Sequence, residues 1–473
     1  MIYIILPVHN RLDETRKFIS CLKNQSCSDY HLILVDDGCT DGTTDYVRGE
    51  INNLTVLRGN GNLWWAGSLE MARTHLLAKQ DVHNGDIVLI ANDDISFNKQ
   101  FLNNILQDLQ ENPSAIILAR CYERGTGKLI DRGVVVDWKR LQFLQAENAS
   151  EINVLSTRGL YMVIDVFRQA GKFHPSLLPH YASDYEFTHR AYKRGIQLRV
   201  SYRAVVYGNS KTTGEHSVDY NLKIGELFYN LFISKRSAYN RITWTNFIFL
   251  SCTPKYIPVN LFRIHMGSIY ILGRWLFNRI KDCILLIHIW LDWSFKNRVR
   301  IIIGSGGIKQ RNWISTDKTQ INLTNRQSWM KFFSPDTIDS IMAEHVWEHL
   351  NTDDASFAVQ NCKEFLRSGG YIRIAVPDGY SPDAKYIDQV KPMGSGFGSE
   401  DHKTLYNYKS LSDLFCSNGY KVKFLEYWDE NGVFHYEPWN VDDGLIMRSK
   451  NHDPRNRDGK LRYTSLIMDA IKK

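Results

Sequence analysis

No pair of cysteines in this chain stands at C-x-x-C spacing. The eight present (Cys21, Cys27, Cys39, Cys121, Cys252, Cys283, Cys362 and Cys416) are scattered over 473 residues. That argues against a zinc ribbon or a disulfide framework and fits a reducing compartment. No signal peptide is expected either. The chain starts with Met1-Ile-Tyr-Ile-Ile-Leu-Pro7, a strand-like run with neither a basic n-region nor a cleavage site, so a cytoplasmic protein is expected. Uninterrupted apolar runs of bilayer length are absent. The longest candidate, residues 268–293, is broken by Arg274, Arg279, Lys281 and Asp282, charges that are costly near the middle of a span. Charge of one sign is also scarce: 58 Lys and Arg against 51 Asp and Glu leave +7. This permits an anionic partner and selects none, and the basic residues are too dispersed for a nucleic-acid groove. What remains is ordinary globular composition, 43% hydrophobic and 23% charged, in a chain long enough for two or three domains.

The amino-terminal part alternates strand-like and helical stretches. Tyr3–Leu6 ends at Pro7-Val-His9-Asn10, and residues 13–23 have helical spacing. His31–Val35 runs into Asp36-Asp37-Gly38-Cys39-Thr40-Asp41. Residues 54–57 end in Arg58-Gly-Asn-Gly-Asn62-Leu-Trp-Trp65-Ala-Gly67, and a helix is predicted near 68–79. The apolar run 86–91 stops abruptly at Asn92-Asp93-Asp94. Strand, helix, strand with a polar loop at each carboxyl end predicts βαβ units and a parallel sheet. Such sheets bind ligands beyond the carboxyl ends of their strands. Together the loops suit a nucleotide: carboxylates accept from base or ribose, glycines admit close backbone approach, and acidic residues hold a divalent cation against a diphosphate. Alone, residues 92–94 read equally well as an Asx-rich turn. Further on, His180-Tyr-Ala-Ser-Asp184-Tyr-Glu186 enters a helix that closes at Gly195. Its two acids serve either as partners of the helix dipole or in chemistry.

Pro7-Val-His-Asn10, Val35-Asp-Asp-Gly-Cys-Thr-Asp41 and Asn92-Asp-Asp94 resemble the family 2 glycosyltransferases of GT-A fold, across roughly residues 1–220. Asn62-Leu-Trp-Trp-Ala-Gly67 resembles their rhamnosyltransferase-like subgroup. The resemblance implies a nucleotide-sugar site built from Pro7, His9, Asn10, Asp36, Asp37, Asn62, Trp65 and Asp93. Asp94 would be the metal ligand closing a D-x-D-like motif, with Asn92 at its first position, for Mg²⁺ or Mn²⁺. Asp184 falls where the family has the Asp of Glu-Asp, with Ser183 replacing the Glu. That makes Asp184 the base taking the acceptor proton and Glu186 a residue that positions it. His216, in Thr213–Ser217, reads as loop surface and stays outside the metal set.

Residues 226–297 turn aromatic, aliphatic and basic. Arg274, Asn278, Lys281 and Asp282, Asp292 and Lys296 recur at roughly helical spacing and leave broad apolar faces. Two readings stand: a helix lying on an anionic membrane, or one packed between domains. The acceptors implied by the resemblance are often lipid-linked, which favours peripheral membrane contact.

From residue 298 a second α/β pattern begins. Arg300–Ile303 leads into Gly304-Ser305-Gly306-Gly307, and Trp313-Ile-Ser-Thr-Asp317 ends in a carboxylate suited to ribose hydroxyls. Ser340–Ala343 ends in Glu344-His345-Val-Trp-Glu348-His349, and Phe365–Gly370 turns into Tyr371–Asp378. His345 and His349 stand four apart, as on a metal-binding helix, though not as H-E-x-x-H; Glu344 is equally readable as a cap. The ordered set resembles the class I S-adenosylmethionine-dependent methyltransferases over most of residues 299–430. This implies a cofactor held by Gly304, Ser305, Gly306 and Asp317, with Glu344 and His345 beside it and Ile302 where many relatives carry Asp or Asn. His345, His349 or His402 would serve as base, His345 being the residue named here. The polar tail at 451–460 reads as a solvated surface segment.

The expected architecture is α/β throughout: a Rossmann-like GT-A domain over 1–225, an amphipathic helical connector over 226–297, and a second Rossmann-like methyltransferase domain over 298–473. The expected activity is bifunctional. A sugar passes with inversion from a nucleotide-sugar to a cell-surface glycan, and S-adenosylmethionine methylates a glycan hydroxyl, at the inner membrane face. The rivals are a glycosyltransferase with an inactive or unrelated methyltransferase domain, and a membrane-bound scaffold of polysaccharide assembly.

Overall fold

Unbroken aliphatic and β-branched runs make the amino-terminal strands, as strands covered on both faces require. A computed structural model describes residues 1–208, 218–296 and 298–473; His216 lies outside the described residues. The chain divides into two compact units, Met1–Trp275 and Leu276–Lys473.

In the first unit, β1 (Ile2–Val8), β2 (Tyr30–Asp36), β3 (Leu54–Arg58) and β4 (Ile87–Ile90) run parallel in the order β3-β2-β1-β4. Alternation along β1 divides its side chains between the two faces. Ile2, Ile4, Leu6 and Val8 pack with Phe18, Ile19 and Leu22 of the helix Leu12–Lys23. Tyr3 and Ile5 pack with Leu69, Ala72 and Leu76 of the helix Trp64–Ala78. Each fully buried aliphatic side chain contributes about 1.5–3 kcal/mol over an exposed one.

The remaining strands of this unit are β5 (Ser96–Phe97), β6 (Ala115–Glu123), β7 (Leu129–Asp131), β8 (Val134–Asp137), β9 (Gln142–Gln145), β10 (Leu160–Val163) and β11 (Gln197–Gly208). The sheet continues past β4 as β10-β6-β11-β5. Because β10 is antiparallel to both β4 and β6, the sheet is mixed rather than wholly parallel. β8 and β9 form a separate hairpin. The chain winds from β1 through β2 to β3 on one side and returns to β4 on the other. That reversal opens a crevice between the carboxyl ends of β1 and β4.

A 35-residue helix, Ile257–Leu291, follows. No helix among the described residues is long and apolar enough to cross a membrane.

The second unit holds β12 (Arg300–Ile303), β13 (Ile314–Ser315), β14 (Ile338–Glu344), β15 (Leu366–Pro377), β16 (Tyr420–Trp428), β17 (Phe434–Tyr436) and β18 (Ser465–Lys472), in the order β13-β12-β14-β15-β18-β16-β17. The first four run parallel, and β18 is antiparallel to β15 and β16. Here too the winding reverses, between β12 and β14. The segment 451–460 is largely exposed, as expected of a solvated segment, but is anchored at two points. Asp453 and Asn456 are buried, and Asn456 donates to the Tyr463 carbonyl at 2.6 Å while accepting from the Arg462 and Tyr463 N–H groups.

Candidate active site

At the β1/β2 rim the acidic pair is tied into the backbone. Asp36 accepts from the Cys39 N–H and the Thr44 hydroxyl, each at 2.7 Å. Burial opposes its ionisation, but these hydrogen bonds outweigh burial and hold its carboxyl below the usual range. Asp37 accepts from the N–H groups of Gly61, Leu63 and Trp64 at 2.8–3.1 Å. Both carboxylates therefore shape the rim, whatever lone pairs they leave for a ligand. Gly38 and Gly61 both have positive φ, and a Cβ on Gly38 would lie 3.0 Å from the Gly61 Cα, so the two loops approach more closely than a side chain allows. His9 and Asn10 are exposed at this rim, whereas Pro7 is buried within β1. The His9 Nδ1 lies 2.6 Å from the Asp37 carbonyl, and Asn10 accepts from the Thr40 N–H.

The helix predicted near 68–79 starts earlier, at Trp64, whose φ is 58°. Its indole donates to Asn62 Oδ1 at 2.8 Å, which also accepts from Lys235. Trp65 turns inward and donates to the Thr157 hydroxyl.

Beyond β4, Asp93 and Asp94 are both buried, each about 5% exposed. Arg11 faces the pair, with Nε 3.3 Å from Asp93 and Nη2 3.5 Å from Asp94. Burial pushes the Asp93 carboxyl up to about 7 against the pull of Arg11, and the Asp94 charge adds to the rise. Asp94 Oδ1 and Asn92 Oδ1 are buried with no hydrogen-bond partner among the described residues. A buried carboxylate oxygen without a donor is costly. A hard divalent cation ligated there would remove that cost, so Asp94 and Asn92 fit the ion the resemblance implies.

Asp184 sits in the first turn of the helix Ser183–Lys193 and accepts from the Tyr185 N–H at 2.9 Å. It keeps some exposed surface. Burial nonetheless pushes its carboxyl up to about 6, the Asp131 charge adding and Arg158 opposing. Asp131, Arg158 and Asp94 all act on the buried Cys121 thiol as well, so the two acidic regions share neighbours. Glu186 takes another direction, since two residues along a helix rotate about 200°. It is buried in a two-pronged pair with Arg190 (2.7 and 3.0 Å), which in turn donates to the Ala170 and Lys172 carbonyls. Arg11, Asp131 and Arg158 belong to this site and carried no motif. Only Arg11, directly after the β1 loop, offered a positional signal.

In the second unit, Gly304, Gly306 and Gly307 all have positive φ. A Cβ on Gly304 would lie 2.7 Å from Val346, whereas the space over Gly306 and Gly307 is open. The buried Ser305 donates its N–H to the Thr316 carbonyl. Asp317, half-buried, accepts from the Thr319 hydroxyl. The open space over Gly306 and Gly307 leaves room for a ligand to approach the backbone of this turn. Glu344 is more committed: its two oxygens accept from the Met447 and Arg448 N–H groups at 3.1 and 2.9 Å. His345 is engaged at both nitrogens, Nε2 3.0 Å from the Ser465 hydroxyl and Nδ1 3.1 Å from Glu348.

Residues 3–156 match the family model described as glycosyl transferase family 2. Among solved structures, the chain is similar to residues 1–349 of S. aureus TarS at 18% identity, with 56% of this chain and 72% of that chain covered and a TM-score of 0.37. The same TarS fragment in complex with UDP-GlcNAc gives 19% identity, 54% and 74% coverage, and 0.37. The mannosyltransferase PcManGT from Pyrobaculum calidifontis, in complex with GDP-Man and Mn²⁺, gives 16% identity, 58% and 72% coverage, and 0.38.

Proposed function

We propose that the first unit transfers a sugar from a nucleotide-sugar to a hydroxyl of a glycan acceptor, with inversion. The observation carrying this reading is the orphaned, buried carboxylate oxygen of Asp94 at the β1/β4 crevice, within the residues that match the glycosyl transferase family 2 model. The acceptor oxygen forms the new bond to the anomeric carbon. The bond from that carbon to the diphosphate breaks, and the nucleoside diphosphate leaves with the electron pair. Asp184 takes the acceptor proton, a task suited to a carboxylate whose affinity for protons burial has raised. His9, Asn10, Asp36, Asp37, Asn62 and Trp65 frame the donor. Asp94, with Asn92 beside it, would hold Mg²⁺ or Mn²⁺. When bound, such an ion offsets the charge of the departing diphosphate. The likeness of Asn62–Gly67 to rhamnosyltransferase-like enzymes favours a rhamnose-like sugar.

For the second unit the reading is methyl transfer to a glycan hydroxyl, favoured by the Gly304–Gly307 turn at its own winding reversal. Gly304, Ser305, Gly306 and Asp317 would hold S-adenosylmethionine, which supplies the methyl group from its sulfonium. A peripheral membrane contact, at a lipid-linked acceptor, is favoured by the exposed Phe262, Ile269 and Tyr270 on the long helix.

The test offers nucleotide-sugars and S-adenosylmethionine with a lipid-linked glycan extract. Asp94→Ala and Asp184→Asn abolish sugar transfer and spare methylation of a preformed acceptor; Asp317→Ala does the reverse. Full transfer by Asp184→Asn would refute the base, and methylation unaffected by Asp317→Ala would refute the cofactor site.

A further inference from the structure

The short helical turn Trp347–His349 follows β14, and there the second unit gathers groups to which the proposed function assigns no role. Glu348 is 0% exposed. Neither of its carboxylate oxygens accepts a hydrogen bond from any described residue. The His345 Nδ1 lies 3.1 Å from Oε1 without hydrogen-bond alignment. Ligand atoms of Glu348, His349 and His402 all lie within 4.8 Å of one another. The two imidazole rings converge edge to face, with centroids 4.8 Å apart and an interplanar angle of 80°.

Supporting contacts hold this arrangement. The Lys403 and Thr404 N–H groups donate to the Glu348 carbonyl at 2.7 and 3.2 Å, fastening the two segments together. The His402 Nδ1 lies 2.7 Å from the Val390 carbonyl. Donating there, it leaves the Nε2 lone pair available, the tautomer a metal-bound imidazole needs. His349 Nδ1 is buried without a hydrogen-bond partner among the described residues, and Asp401 lies 3.5 Å away on the same nitrogen.

We infer that Glu348, His349 and His402 bind a divalent transition-metal ion, such as Zn²⁺, Mn²⁺ or Co²⁺. Two imidazoles and a carboxylate select this class over Mg²⁺ or Ca²⁺, which favour all-oxygen sites. Ligand atoms around a zinc ion lie roughly 3–3.5 Å apart, so side-chain rotation closes the cluster. The ion offsets the charge of a buried carboxylate that no described residue hydrogen-bonds. Three protein ligands leave a coordination position for water or a substrate oxygen. The site stands whether or not the unit transfers methyl groups.

The experiment uses the untagged full chain, stripped with a chelator and titrated with Zn²⁺ and, in parallel, Co²⁺. One equivalent binds at micromolar or tighter affinity and persists in Asp94→Ala. His349→Ala and His402→Ala weaken it by more than the roughly 10–100-fold that losing a supporting residue costs. Circular dichroism checks that both variants fold. Should they not, X-ray absorption of the wild-type zinc complex decides. Two imidazole nitrogens at about 2.0–2.1 Å support the site, and an all-oxygen shell overturns it. No bound equivalent beyond one lost in Asp94→Ala, or wild-type affinity in both folded histidine variants, likewise refutes the proposal.

Discussion

Asp184 and Glu186 lie two positions apart and carry the same charge, yet burial and rotation separate their roles. Desolvation has moved Asp184 up to about 6. Under the proposed mechanism kcat/KM for sugar transfer rises with pH through about 6 as the base ionises. Asp131→Asn, by removing a repelling charge, moves that limb to lower pH. The linkage has the reverse sign from an ordinary salt-bridged Asp. The folded state holds this proton more tightly than the unfolded chain, so stability is greatest at low pH and declines as pH rises from the ordinary aspartate value of 3.8 to about 6. Asp184→Asn therefore lowers transfer by roughly 10²–10⁴-fold while raising the thermal midpoint at neutral pH. Glu186→Gln does the opposite. Leaving Arg190 without its counter-charge costs about 3 kcal/mol, read in denaturant, while the folded enzyme keeps its turnover.

At the scale of elements, both candidate sites depend on loops that follow parallel strands. Gly304→Ala puts a methyl group 2.7 Å from Val346 at a φ of +62°. A loss of about 1–3 kcal/mol in unfolding free energy is expected and, under the proposed methyl-transfer reading, weaker S-adenosylhomocysteine binding by calorimetry. The helix Arg241–Ser251 tests ordinary capping. Asn240 Oδ1 accepts from the Ile242 and Thr243 N–H groups, so Asn240→Ala costs about 1 kcal/mol and leaves both proposed activities unchanged. The strand-end loops were legible because each is a local pattern, an apolar run that stops or glycines at a turn, whereas the helix Arg241–Ser251 and its Asn240 cap were not read from the sequence. Nor was the mixed character of the first sheet. β10 is four ordinary residues whose antiparallel place between β4 and β6 depends on partners far away in the chain.

For the whole molecule, the long helix links the composition of residues 226–297 to the proposed acceptor. It is too charged to cross a bilayer, yet Phe262 and Ile269 are more than 60% exposed. The full chain is expected to float with anionic vesicles, and Phe262→Glu with Ile269→Glu to weaken flotation at least several-fold. Equal flotation of wild type and variant would remove the membrane reading.

Sequence alone determined the strand-end loops that line both crevices, Pro7–Asn10, Asp36–Asp37, Asn92–Asp94, Gly304–Gly307 and Glu344–His345. A buried parallel strand announces itself by an apolar run, and the ligand rim is simply where that run ends. Tertiary structure decided which of those side chains stay available. It spent Asp37 and Glu344 on backbone N–H groups, buried Pro7 in a strand and locked Glu186 to Arg190. It also brought Arg11, Asp131 and Arg158 to the first site and set His402 beside His349 in the second unit. Hydrogen-bond satisfaction and helix phase are properties of the packed chain, and neither is written in the spacing of residues along it.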